Sequence, residues 1–329
     1  MARVYGPVIG SDSSVTCGAV TVEAMTGPRT RTTGIVLSLA VLGAGAAQAD
    51  TTVLFRFADA EITESSGLAL VRDLYVTVND SGDRGRVFTV DSSGATVGVT
   101  SWADRPVDIE AVAVAGPGEV WVGDIGDNAA TRASIRVFRV EVGRMTRTVT
   151  PHAVRLAYAD RPHNAESLLV HPVTGRLYIA TKQTAGGSLY AAPRTLTSGV
   201  NTLTKLGPVA SLVTDGTFSD DGAHVLLRNY GKVFVYGFPS LRLLGSAALP
   251  AQPQGEGMAL GSDGALVLTS EGVRSAVLRY TLPPRLTRIL GAGGRLDDAA
   301  TAQDAAPVLA ALGFGAAASA AAAVGASLG

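Results

Sequence analysis

The chain has 329 residues, a formal net charge of −1, 17% charged residues and 39 glycines. A balance this neutral, with no Lys/Arg-rich run to neutralise phosphates, argues against a nucleic-acid partner. Abundant Gly with little charge fits an all-β globular body.

Residues 1–24 suit neither a leader nor a fold and are expected to be an extension upstream of Met25. They hold Cys17, the only cysteine, so disulfide, thiolate and Cys-ligated zinc chemistry have no support in the remainder. Residues 25–49 read as a signal peptide. Arg29 and Arg31 precede an apolar run over 34–42, and Ala47-Gln48-Ala49 forms a small-x-small cleavage site. Asp50 is then the expected mature start, and the product is expected to be secreted or held at the cell surface.

From residue 50 to 283 a phrase returns: a carboxylate or hydroxyl, a small residue, then an apolar strand. It reads Ser66-Gly67-Leu68, Glu110-Ala111-Val112, Glu166-Ser167-Leu168, Asp215-Gly216-Thr217 and Glu256-Gly257-Met258. Spacings of about 40 to 56 residues with several short strands in each period predict an all-β propeller of about five four-stranded blades. Expected strands are 67–71, 74–78, 86–90 and 95–100; 111–115, 120–123, 135–140 and 153–158; 167–170, 176–180, 188–191 and 203–209; 216–219, 224–227, 232–236 and 242–247; and 257–260, 265–268 and 276–280. The last blade lacks a strand, and the alternating segment 52–57 is expected to complete it. A β-sandwich is the alternative, and the repeat in register argues against it.

In a four-strand meander, residues before the first strand and the loop after the second share one face. That face collects Glu64, Ser66, Asp108, Glu110, His163, Asn164, Glu166, Asp215 and Glu256 ahead of the inner strands. After the second strands it collects Asp80, Asp124, Asp127, Asn128, Arg132, Lys182, Arg228, Glu271 and Arg274. The other face carries ordinary hairpin turns such as Gly116-Pro117-Gly118 and Ser262-Asp263-Gly264. Carboxylates converging on one axis must gain protons, pair with Lys or Arg, or bind a cation. A hard cation such as Ca²⁺ takes the oxygen ligands this face offers, with Glu110, Asp127 and Glu166 as candidate metal ligands. The alternative is structural, each acid tying the backbone of a neighbouring blade. His163 is the only histidine placed to act as a general base, while His171 and His224 lie beside turns and are expected at the surface. No Gly-x-Ser-x-Gly elbow occurs.

The strings Val76-Thr77-Val78-Asn79-Asp80-Ser81-Gly82, Asp108-Ile109-Glu110-Ala111-Val112, Gly123-Asp124-Ile125-Gly126-Asp127-Asn128, Asn164-Ala165-Glu166-Ser167-Leu168 and Thr269-Ser270-Glu271-Gly272 resemble a family of exported bacterial WD40-like propeller proteins, common in actinobacteria. The likeness covers about residues 60–283. A more distant likeness is to the esterase-like phytase propeller group, whose Ca²⁺-dependent phosphate chemistry implies clustered Lys and Arg. Here Arg132, Lys182, Arg228 and Arg274 are spread over four repeats. The expected function is a binding or scaffold module whose acidic funnel holds a cation, a small polar ligand, a glycan or an envelope protein. The alternatives are a metal-dependent phosphoesterase or esterase-like hydrolase, with Arg132 as anion clamp, and a purely structural interaction protein using the blade rims.

Residues 284–304 read as a linker. Residues 305–329 form an uncharged Ala/Gly-rich tail, long enough to contact a membrane yet only weakly hydrophobic.

Overall fold

A computed structural model describes residues 50–291 of the chain. The upstream extension, the signal peptide, the linker beyond residue 291 and the Ala/Gly tail lie outside the described residues.

The alternating segments form strands throughout. β1 (Thr51–Arg56) is followed by β2 (Ser65–Val71), β3 (Leu74–Asn79), β4 (Arg86–Val90) and β5 (Thr96–Ser101). Next come β6 (Ile109–Gly116), β7 (Glu119–Asp124), β8 (Ile135–Glu141), the two-residue β9 (Arg147–Thr148) and β10 (His152–Tyr158). β11 (Ala165–Val170), β12 (Leu177–Thr181), β13 (Gly187–Ala191) and β14 (Val200–Val209) form the third group. β15 (Asp215–Phe218), β16 (His224–Arg228), β17 (Lys232–Gly237) and β18 (Arg242–Ala248) form the fourth. The last strands are β19 (Gly255–Leu260), β20 (Leu266–Ser270) and β21 (Ala276–Tyr280).

Hydrogen bonding runs in the orders β2-β3-β4-β5-β9, β6-β7-β8-β10, β11-β12-β13-β14, β15-β16-β17-β18 and β1-β21-β20-β19. The second and third meanders are joined into one eight-stranded sheet by the parallel pair β10 and β14. β9, which the sequence pattern does not reveal, adds in parallel to β5. The inner strands pack in sequence, β2 on β6, β6 on β11, β11 on β15 and β15 on β19, and β19 returns to β2. They therefore circle an axis, as the repeat requires.

The N-terminal strand closes the circle. β1 runs antiparallel to β21, with Thr51 opposite Tyr280 and Arg56 opposite Ala276. The seam is apolar: Phe55, Phe57, Leu68 and Phe88 pack with Val267 and Val277 in one cluster. Each such fully buried side chain contributes about 1.5–3 kcal/mol relative to exposure.

Each turn after an inner strand places one residue in the left-handed region: Arg72 (φ 57°), Gly118 (80°), Gly175 (66°), Gly222 (72°) and Gly264 (75°). Glycine occupies four of these positions because it adopts that conformation without a Cβ clash. At this end of the axis Leu70, Val114, Val170, Phe218 and Leu260, with His171, Ser219 and Asp220, help line a cavity of about 370 Å³ of mixed polarity. The carboxylates begin the same strands and so sit at the opposite end.

The chain from Pro284, where a linker is expected, forms helix α1 (Pro284–Gly291). Proline suits the first turn of a helix, where its missing N–H is not needed. Leu286 is buried with Leu249, Tyr280 and Leu282, and α1 covers β18. No helix among the described residues is long and apolar enough to cross a membrane.

Candidate functional site

A register irregularity aims the repeated acids inward. In β2 the pairing jumps from Ser65–Asn79 to Gly67–Val78 and skips Ser66. In β6 it jumps from Ile109–Asp124 to Ala111–Gly123 and skips Glu110. In β11 it skips Glu166, and in β19 it passes over Glu256 and Gly257. A bulge of this kind re-aims a side chain that regular pleating would send elsewhere. In β15 Asp215 pairs with Arg228, whose carbonyl also accepts the N–H of Thr214 at 3.0 Å, so here too two residues face one. The five equivalents Ser66, Glu110, Glu166, Asp215 and Glu256 are all buried.

They differ in what satisfies them. Asp215 is a tie within the ring: its Oδ1 accepts the N–H of Gly216 at 2.8 Å and its Oδ2 that of Met258 at 2.7 Å. It also accepts from the backbone of Leu68, and burial holds its proton affinity well above the usual carboxylate range. Arg228 beneath the mouth is fully buried, donating to the carbonyls of Gly257 (3.0 Å) and Thr269 (3.5 Å) and to Gln252 Oε1 (3.2 Å). Burial lowers its pKa to about 10.

Glu166 is paired with Lys182, whose Nζ lies 2.5 Å from Glu166 Oε2 and donates to Tyr230 Oη at 2.7 Å. Burial raises the Glu166 pKa, and the Lys182 ammonium only partly offsets this. Burial works against the ammonium in turn, and Glu166 more than compensates.

Glu110 has the Ser66 hydroxyl as a donor at 3.2 Å. Burial, then the charges of Glu166, Asp80 and Asp108, push its pKa far up. Oxygen atoms of Asp80, Asp108 and Glu110 lie within 4.8 Å of one another. Asp108 is pushed up to about 6, by burial first and the Asp80 charge second. Its Oδ1 is buried and accepts no hydrogen bond. Gly126 closes over this trio: a Cβ there would collide with Asp108 Oδ2 and stand 2.7 Å from Glu110 Oε1.

Glu256 completes the mouth. Burial raises it to about 7, with Lys182 opposing and Glu271 adding to the shift. Its Oε2 is buried and accepts no hydrogen bond.

The structure therefore groups Glu110 with Asp80 and Asp108, whereas the sequence pattern groups it with Asp127 and Glu166. Asp127 is spent on its own loop, accepting the N–H groups of Thr131 (2.9 Å) and Arg132 (2.8 Å). Asp124 is fully buried and pairs with Arg132 and Arg136, both at 2.9 Å, while holding the N–H groups of Val107 and Asp108. It positions Asp108 instead of facing a ligand. Arg132, expected as an anion clamp, is held by Asp124 and by the carbonyl of Gly126 at 2.6 Å. Asn164 bridges loops, accepting from Asp127 N at 2.7 Å and donating to Asn128 at 3.0 Å.

His163 does not face the axis as a free base. It is 4% exposed; its Nε2 lies 2.8 Å from Tyr190 Oη and 3.1 Å from Asp160, and its Nδ1 lies 2.9 Å from Gln183. With both ring nitrogens engaged, it locks the β10–β11 connection. His224, expected at the surface, is buried, and His171 is half-buried against Phe218. Glu64 is exposed and bridges to Glu271 through its backbone. Glu271 is raised by burial and by Asp80, and accepts from Gln254 at 2.6 Å. Arg274 is exposed on the β20–β21 turn, where its φ is 58°. Tyr230 and Gly126 carried no signal beyond their place in loops on the acidic face.

No family model and no curated protein matches the chain. Among solved structures it is similar to a gluconolactonase of Xanthomonas campestris, with 15% identity, a TM-score of 0.44, and coverage of 75% of this chain and 94% of that one. It is also similar to a PQQ-bound aldose sugar dehydrogenase of Streptomyces coelicolor, with 10% identity, a TM-score of 0.44, and coverage of 71% and 98%. Similarity at this level says nothing about the activity of this chain.

Proposed function

We propose that this protein is an exported binding module, a five-bladed propeller if the eight-stranded sheet is counted as two blades, whose axial mouth holds one hard divalent cation of the Ca²⁺ type. The observation that carries this reading is the Asp80, Asp108 and Glu110 trio, within 4.8 Å, with a buried Asp108 oxygen that accepts no hydrogen bond. Carboxylates this close repel one another, and a divalent ion replaces both the protons and the repulsion. Export rests on Arg29, the apolar run and Ala47-Gln48-Ala49.

The test is thermal unfolding of the full-length chain with chelator and with Ca²⁺, Mg²⁺ or Mn²⁺. A ligand of the folded state at about 100 times its Kd adds about 2.7 kcal/mol, enough for several degrees in Tm. Glu110→Gln with Asp108→Asn should abolish the rise. No rise with any divalent ion removes this reading and leaves the acids as ring ties.

A second reading, metal-assisted ester hydrolysis, is favoured by one observation: Glu256, raised to about 7, could exchange a proton near neutral pH beside the trio. Chelator-sensitive turnover of p-nitrophenyl acetate or p-nitrophenyl phosphate supports it, and no turnover across a broad ester panel removes it.

A further inference from the structure

The groups around the trio restrict what a bound cation would present to a ligand. Three protein carboxylates leave coordination positions open, because Ca²⁺ takes six to eight oxygens. The ligand filling them faces Glu166, Glu256 and Glu271 as well as the trio, and these acids feel one another's charge together with that of Asp80.

The cationic side chains nearest these acids are engaged. Lys182 is held by Glu166 and Tyr230, Arg132 by Asp124, and Arg228 by backbone carbonyls and Gln252. Arg274, the fourth cation of this face, is exposed on the β20–β21 turn and is not among the main charges acting on these acids, so a phosphate or carboxylate entering here meets like charge from the acids with no free cation beside them. A neutral hydroxyl ligand meets what it needs, because Glu256 Oε2 is an acceptor without a donor on a side chain only 3% exposed. Tyr230 completes the rim: it is 38% exposed and its hydroxyl is fixed by Lys182 at 2.7 Å. An exposed ring held in this way offers an apolar face to a ligand that carries hydroxyls at its edge.

We propose that the mouth binds a neutral polyhydroxylated ligand, one hydroxyl oxygen completing the cation's shell at Asp80, Asp108 and Glu110, another hydroxyl donating to Glu256 Oε2, and the carbon frame resting on Tyr230. This rests on the cation reading above and selects a neutral polyol over a phosphoester for the same site.

The test is saturation-transfer difference NMR of the Ca²⁺-saturated full-length chain with D-glucitol, methyl α-D-mannopyranoside and myo-inositol, beside the ³¹P linewidth of inorganic phosphate. Saturation transfer to at least one polyol, lost on chelation, with phosphate unbroadened, is the expected result. Glu256→Leu should weaken polyol binding at least tenfold and keep the Ca²⁺-dependent rise in Tm. Tyr230→Ala, which removes no acid and leaves the Lys182–Glu166 pair in place although Lys182 loses its second acceptor, should do the same and guards against a Glu256 variant that fails to fold. Broadened phosphate with silent polyols overturns the inference in favour of an anion. Silent polyols with the Ca²⁺ rise intact overturn it and leave the cation reading standing. Absence of any Ca²⁺ rise removes the cation reading and this inference together.

Discussion

Asp215 Oδ2 accepts the backbone N–H of Met258 at 2.7 Å, binding the acid of one inner strand to the backbone of the next. The same carboxylate reaches the backbone of Leu68 in β2, so three inner strands meet at one side chain. One of the repeated acids thus serves ring closure, as the structural alternative requires, while Glu110 and Glu256 retain capacity for a ligand.

Asp215→Ala should therefore destabilise the fold without touching cation binding. It strands the N–H groups of Gly216, Met258 and Leu68, each costing about 1–3 kcal/mol when unsatisfied, although much is regained because a carboxyl no longer has to be buried. We expect a net loss of about 2–3 kcal/mol by urea unfolding, with the Ca²⁺-dependent increment unchanged. A variant as stable as the parent would show that the tie carries no energy.

Gly126→Ala should weaken cation binding. The added methyl would press on Asp108 Oδ2 and Glu110 Oε1, in the space their oxygens share with a cation. Ca²⁺ affinity should drop at least tenfold, about 1.4 kcal/mol, and the chelated protein should lose about 1–3 kcal/mol as well, because buried Asp108 must shift to make room. Calorimetric titration with Ca²⁺ checks this, and an unaltered Kd would move the ion elsewhere.

Lys182 and Glu166 should behave as one unit. Lys182→Met leaves Glu166 buried without its ammonium, and Glu166→Gln leaves the ammonium without its carboxylate. Each single change should cost more than the double change implies, with a coupling energy of about 1–3 kcal/mol in a double-mutant cycle. Additive losses would mean that the pair is screened by solvent.

The chelated protein should lose stability as pH rises. Burial raises Glu256 from 4.5 to about 7, so the folded state holds its proton more tightly than the unfolded chain does. That stabilising contribution is complete below about 4.5 and is lost as pH rises through 7, with an upper limit of about 3 kcal/mol. Lys182, Arg228, Glu271, Glu166 and Tyr230 all act on this group electrostatically, and Gln254 hydrogen-bonds it. Tm measured in chelator from pH 5 to 8 should fall, and Glu256→Gln should flatten the slope. A slope that the variant does not alter would assign the titration to other mouth carboxylates.

Much of the architecture was legible along the chain. The expected strands 86–90 and 276–280 match β4 and β21 residue for residue, and the segment 52–57 closes the ring with a one-residue offset. Period-two alternation and Gly or Asp turns are local signals, so they survive in one dimension. β9 and α1 were not legible, because two residues of strand and two turns of helix carry too little pattern.

The sequence by itself determined that five equivalent positions, four of them acidic, would begin the inner strands. Only the tertiary structure decided their separate fates. Asp215 became a tie because the N–H groups of Gly216 and Met258 lie 2.8 and 2.7 Å from its oxygens, whereas Glu256 Oε2 and Asp108 Oδ1 are buried without a donor. Asp80 joined Glu110, and Asp127 did not, because an Asp can satisfy its own loop's N–H groups or face an axis, and spacing along the chain does not choose between them.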